Sequence, residues 1–168
     1  RKQSMFLDFS NLTAGDAYRW MSATITPRPI AWVSTLNQAG AANLAPFSFF
    51  QMITGKPPTL MISPLVQRHG RLKDTVNNIQ ETGEFVVNLV SLEQARSMNQ
   101  TSGNFAAEVD EFTECDIAGA DSVLVKPKRV ANSPVSFECR MAAIHPYPPD
   151  APSCHIILGQ VLALHVDD

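Results

Sequence analysis

Alternation of apolar and polar side chains dominates the pattern along this chain. Residues 29–36 (PIAWVSTL) alternate and carry β-branched and aromatic side chains, which predicts a strand. NQAGAAN turns the chain, and residues 44–50 predict a second strand. PTLMIS (58–63) predicts a third, after a turn at Gly55-Lys56-Pro57. EFVVNLV (84–90) predicts a fourth, and residues 135–147 and 155–166 two long strands joined by the proline-rich loop PPDAPS. Two segments change period. Leu72, Val76 and Ile79 fall on one helical face, with Asp74 as the expected N-cap and Gly83 as the stop. Leu92, Ala95 and Met98 form a second stripe, opened by a Ser91–Gln94 capping box and closed by Gly103. Six strands with two short helices predict an antiparallel barrel flanked by helices. The helices are too few for a doubly wound parallel sheet.

Within this pattern NLAPFSFF (43–50) is irregular, because a plain core strand wants neither Pro46 nor Ser48. Pro46 removes a ladder N–H and frees nearby backbone groups. Asn43 and Ser48 offer hydrogen bonds, and Phe47 and Phe49 share a face. Apolar walls with a few fixed donors suit a flat heterocycle with polar edges. Upstream, Pro27 and Pro29 fix the chain around Arg28, and the first strand ends in the hydroxyls of Ser34 and Thr35. Downstream, Arg68, Arg71 and Lys73 precede a helix start whose first turn adds Thr75. A helix N-terminus beside cations is a natural anion site, and Asp74 opposes an anion there unless it caps the helix.

Composition narrows the classes. The chain has 168 residues, 45% hydrophobic and 17% charged, which suits one folded domain over residues 1–168. The chain opens on Arg1 and not on methionine, so the expected natural start is either upstream or Met5, and the close just after a strand-like run leads us to expect further native residues at the C-terminus. A net charge of −3 disfavours broad nucleic-acid binding. No run approaches a membrane span. Cys115, Cys139 and Cys154 are far apart and lack metal spacing, which predicts reduced thiols and a cytoplasmic setting.

The usual catalytic signatures are missing. There is no GxGxxG, HExxH or GxSxG, and Thr54-Gly55-Lys56 lacks the rest of a phosphate-binding loop. His155 and His165 share a strand face but stand about 33 Å apart, too far for one metal. No metal site is expected. The acidic cluster around Glu108, Asp110, Glu111 and Glu114 reads as a solvated loop. With no candidate proton-transfer residue, the chemistry is expected to reside in a bound cofactor.

Three segments in order carry a family resemblance: Pro27–Thr35, Asn43–Phe50, and Lys73-Asp74-Thr75 leading to Thr82–Asn88. Weaker matches follow at Ser133-Pro134-Val135 and His155–Val161. Over roughly residues 18–166 the chain resembles the flavin reductase-like FMN-binding split-barrel family, most closely its branch of flavoredoxins and NAD(P)H:flavin reductases. Asn132 departs from the acidic residue of many relatives. The resemblance implies a six-stranded Greek-key split barrel, a homodimer and bound FMN. It places Ser34, Thr35, Lys73 and Thr75 at the phosphate. Asn43, Ala45, Pro46, Phe47 and Ser48 would line the ribityl chain and isoalloxazine, with Arg28 and Arg71 as further contacts. It implies hydride transfer from NADH or NADPH to flavin N5, with flavin or another small molecule as acceptor. The alternative it leaves open is a flavoredoxin-like electron carrier without nicotinamide turnover.

Overall fold

The computed structural model describes residues 4–167, apart from the side chain of Arg68. The chain runs α1 (Ala14–Thr24), β1 (Ala31–Leu36), β2 (Ala42–Phe47), β3 (Phe50–Gly55), β4 (Pro58–Ile62), α2 (Asp74–Thr82), β5 (Glu84–Asn88), α3 (Ala95–Gln100), α4 (Glu111–Glu114), β6 (Gly119–Ala120), β7 (Arg129–Val130), β8 (Val135–Tyr147) and β9 (Cys154–Val166). Single 3₁₀ turns sit at Phe9–Asn11 and Arg68–Gly70. No helix among the described residues is long and apolar enough to cross a membrane.

Seven strands form one antiparallel sheet in the order β2-β1-β5-β8-β9-β4-β3, and β6 with β7 makes a separate ribbon. This corrects the expected six strands. The segment expected to be one strand over 44–50 is broken at Ser48-Phe49, and Phe50–Gly55 forms a further strand. β2 and β3 are consecutive in the chain yet occupy opposite edges of the sheet. Three Cα–Cα steps join them, so Phe47 and Phe50 lie no more than about 11 Å apart. The sheet must therefore curl until its edges nearly meet. They do not pair with each other, and the split between them is bridged by Ser48-Phe49. There Ser63 N donates to Phe49 O at 2.9 Å.

The curled sheet encloses one core, in which Val33, Ile62, Phe85, Val87, Cys139 and Ile157 meet Val76 and Ile79 of α2. β8 and β9 turn the sheet through register shifts after Glu138 and Met141. Gly159 of β9 lies against the Phe85 ring, where a Cβ would stand 2.4 Å from Cζ. On the outer face Trp32, Leu44, Phe112 and Val130 pack into a smaller cluster under α4.

The helix ends follow local chemistry. α2 stops at Gly83, whose φ of 72° lies in the left-handed region. Its N-cap is Lys73, and Asp74 is the first helical residue rather than the expected cap. Before α3, Ser91 N donates to Gln94 Oε1 at 3.1 Å, which is one half of the expected capping box.

Candidate functional site

A cavity of about 720 Å³ opens where the split meets the start of α2. Its volume is within the range of small-molecule sites, roughly 300–1,000 Å³. β2 and the split contribute Asn43, Ala45, Pro46, Phe47, Ser48 and Phe49. The approach to α2 contributes Arg71, Lys73, Asp74 and Thr75, and the exit of β4 contributes Ser63 and Gln67. Thr101–Phe105, after α3, complete the lining together with Glu111 and Tyr18.

The register explains why Pro46 is tolerated. Pro46 faces Trp32 across β1, and without an N–H it belongs to a pair that exchanges no ladder bonds. By alternation Leu44, opposite Ser34, belongs to the same class, so its N–H points to the open edge of β2. Glu111 takes that N–H, at 2.9 Å from Oε2. The carbonyls of Leu44 and Pro46 point to the same edge. This strand therefore presents backbone acceptors outward without inviting another strand to pair.

A buried polar chain fastens the cavity floor. Asn43 Nδ2 donates to Glu111 Oε1 at 2.8 Å, and Thr75 Oγ1 donates to Asn43 Oδ1 at 2.8 Å. Three elements distant in sequence, β2, α2 and α4, are thereby locked together. Burial raises the Glu111 carboxyl above its ordinary value, and neighbouring Asp110 adds to this. The bonds from Leu44 and Asn43 oppose the shift without cancelling it. Sequence reasoning missed Glu111 because it stands in the acidic cluster read as solvated. It is 4% exposed.

At the α2 end the charge is cationic. Arg71 Nη2 lies 3.7 Å from Asp74 Oδ1, so Asp74 is turned toward a cation and caps nothing. Lys73 is half-buried and makes no ion pair among the described residues. Val76 and Asn77 N–H both return to the Lys73 carbonyl, which leaves the N–H groups of Asp74 and Thr75 without intrahelical partners. Asp74 lines the cavity without capping the helix, and Arg71 offsets its charge; Lys73 and two free N–H groups next to apolar β2 then suit an anionic tail on an apolar, planar body.

Eight of the eleven predicted residues thus meet in one cavity: Asn43, Ala45, Pro46, Phe47, Ser48, Arg71, Lys73 and Thr75. Thr75 enters differently from expectation, since it is 1% exposed and its hydroxyl proton is committed to Asn43. Ser34, Thr35 and Arg28 do not line the cavity. Ser34 and Thr35 are buried; Ser34 donates to the Lys128 carbonyl, and Thr35 accepts from Asn78 Nδ2 at 3.0 Å. Arg28 bonds the end of α1.

The model of the flavin reductase like domain matches residues 21–168 of this chain. The chain belongs to the flavin reductase-like family. A relative from Aquifex aeolicus (strain VF5) is 41% identical over 157 residues, covering 93% of this chain and 78% of the relative. Among solved structures, nitrilotriacetate monooxygenase component B from Bacillus cereus superposes with a TM-score of 0.94 at 26% identity, covering 100% of this chain and 84% of the other. A protein with a split barrel domain from Shewanella frigidimarina superposes with a TM-score of 0.84 at 17% identity, covering 98% and 81%, a likeness of fold alone. The seven-stranded, curled but unclosed sheet is therefore the family's split barrel. The family match begins inside α1, so the first turns of that helix and Tyr18 lie outside it.

Proposed function

We propose that this flavin reductase-like protein binds FMN and acts as an NAD(P)H-dependent oxidoreductase, passing hydride from a reduced nicotinamide to the flavin. One observation carries the reading: a single cavity joins a cationic helix start to an apolar, proline-interrupted strand edge. Lys73, Arg71 and the free N–H groups of Asp74 and Thr75 would hold the phosphate. Phe47, Pro46 and Ala45 would wall the ring system, with Asn43 and Ser48 along its polar edge. Bound flavin supplies the hydride chemistry.

The chain's own contribution is binding, orientation and electrostatics. Asn43 is fixed by Thr75 and Glu111, so it needs no reorganisation when a ligand arrives. We place the protein in the cytoplasm as a homodimer. Three free cysteines are in keeping with a reducing setting, and exposed Val123, Leu124, Leu164 and Val166 with a further interface.

The test is a visible spectrum of the purified protein reconstituted with FMN, followed on adding NADH or NADPH. Flavin bands that bleach under anaerobic conditions support the reading. Protein that takes up no flavin refutes it. Bound flavin that neither nucleotide bleaches would indicate an electron carrier without nicotinamide turnover.

A further inference from the structure

Helix α1 buries none of its residues, and Tyr18, Trp20 and Met21 all face solvent. Its N-terminus is held locally, by Thr13 Oγ1 accepting from Asp16 N at 3.1 Å. Its side-chain hydrogen bonds and ring contacts with residues beyond the helix are made through Arg28 and Phe49 among the described residues. Arg28 Nη1 donates to the Ser22 carbonyl at 2.6 Å and to the Ile25 carbonyl, closing the last turn of the helix. The same guanidinium lies 5.8 Å from the centroid of the Phe49 ring. Tyr18 meets that ring edge-on, at 6.4 Å and 69°. Phe49 therefore receives a cation and an aromatic edge, both serving α1, at the point where the chain crosses the split.

A helix with no buried side chain has little local stability of its own. Without this tie α1 has no fully buried side chain to keep it in place. With it, Tyr18 and Phe49 both line the cavity, and Tyr18 remains 50% exposed at the rim. A half-exposed ring at a rim is available to something that enters after the deeper space is filled.

We propose that α1 is a strap across the cavity mouth, tied down by Arg28 on Phe49, and that Tyr18 is the specificity-determining ring it presents to the second planar substrate, the nicotinamide of the electron donor. The nature of that substrate rests on the function proposed above. Arg28 acts through Tyr18 as a positioning residue, although it lines no part of the cavity.

The experiment combines two readouts on Tyr18→Ala, Tyr18→Phe, Arg28→Ala and the Tyr18→Ala/Arg28→Ala double variant. The first is amide hydrogen exchange of residues 14–24 in the cofactor-free protein. Arg28→Ala should speed exchange across α1 and leave β8 and β9 unchanged. The second is steady-state NADH oxidation at saturating FMN, with the FMN Kd measured separately by fluorescence quenching. Tyr18→Ala and Arg28→Ala should each raise the KM for NADH about 3- to 10-fold, the range of one aromatic pair, with kcat and the FMN Kd little changed. Tyr18→Phe should behave as the unaltered chain, and the double variant should be no worse than either single one.

An unchanged KM in Tyr18→Ala overturns the role of Tyr18. So does an FMN Kd that weakens as much as KM rises, because the ring then belongs to the cofactor cradle. α1 amides unaffected by Arg28→Ala, or unprotected in the unaltered chain, overturn the strap. An unaltered chain that binds no FMN sinks the proposed function together with the role of Tyr18, and the exchange measurement then judges the strap alone.

Discussion

Thr75 donates its hydroxyl proton to the side-chain carbonyl of Asn43 at 2.8 Å, across 32 positions of sequence, and this bond fastens α2 to β2 beneath the cavity. Thr75→Val keeps the shape and removes the donor, leaving a buried carbonyl oxygen unpaired. The expected cost is about 1–3 kcal/mol, seen as a lower urea midpoint with an unchanged slope. An unshifted midpoint would show that water replaces the hydroxyl.

Lys73 tests the anion end of the cavity. Lys73→Ala should weaken FMN binding by about 1.5–3 kcal/mol, the range of a charge-assisted hydrogen bond, and reduce the salt dependence of Kd. Riboflavin, which lacks the phosphate, should bind both forms alike. Equal FMN affinity in both proteins would place the phosphate elsewhere.

Glu138 sets an acid limit on stability. The side chain is fully buried on β8 and accepts from Val123 N at 2.8 Å, Leu124 N at 2.6 Å, Val125 N at 3.2 Å and His165 Nε2 at 2.6 Å. Burial pushes its carboxyl up, but the bonds from Val123, His165 and Leu124 together outweigh that and hold it below the ordinary value of 4.5. A depressed carboxylate stabilises the fold above its unfolded value and loses that contribution as pH falls through the folded one. Stability should therefore decline from pH 4.5 downward. Glu138→Gln should be less stable at pH 7 and show a shallower decline in acid, measured by thermal melts from pH 7 to pH 3. Glu111 acts with the opposite sign. Its raised value means that its contribution shrinks as pH climbs from 4.5 through the folded value.

Among the glycines, Gly159 makes the tightest approach to a neighbouring side chain. Gly159→Ala would set a methyl group 2.4 Å from the Phe85 ring carbon, so the ring or the strand must shift. Overpacking of this kind costs about 1–3 kcal/mol. Gly159→Ala combined with Phe85→Leu should recover part of the loss, and a double-mutant cycle in denaturant measures the coupling.

The long strands were legible because alternation persisted over β8 and β9, and Gly83 announced the end of α2 without ambiguity. β3 was hidden because it is an edge strand exposed along most of its length, so no alternation distinguished it from its neighbour. α1 was missed because it has no buried stripe, although Thr13 and Asp16 carry a capping signal. Ser34 and Thr35 look outward-facing in a list of residues. Their burial is decided by Lys128 and Asn78, 94 and 43 positions away. Glu111 is the same lesson in reverse. Its partner Asn43 lies 68 positions upstream, and no local pattern distinguishes a carboxylate that pins a strand edge from one that is hydrated.

The split between β2 and β3 has a mechanical consequence. The sheet resembles an arch whose two feet are joined by main chain only at Ser48-Phe49, and the cavity touches β2 on one foot and Ser63 and Gln67, just beyond β4, on the other. A molecule seated there works as a keystone. Occupancy raises the free energy needed to open the arch by mass action, so the stability of the fold grows with the concentration of that molecule.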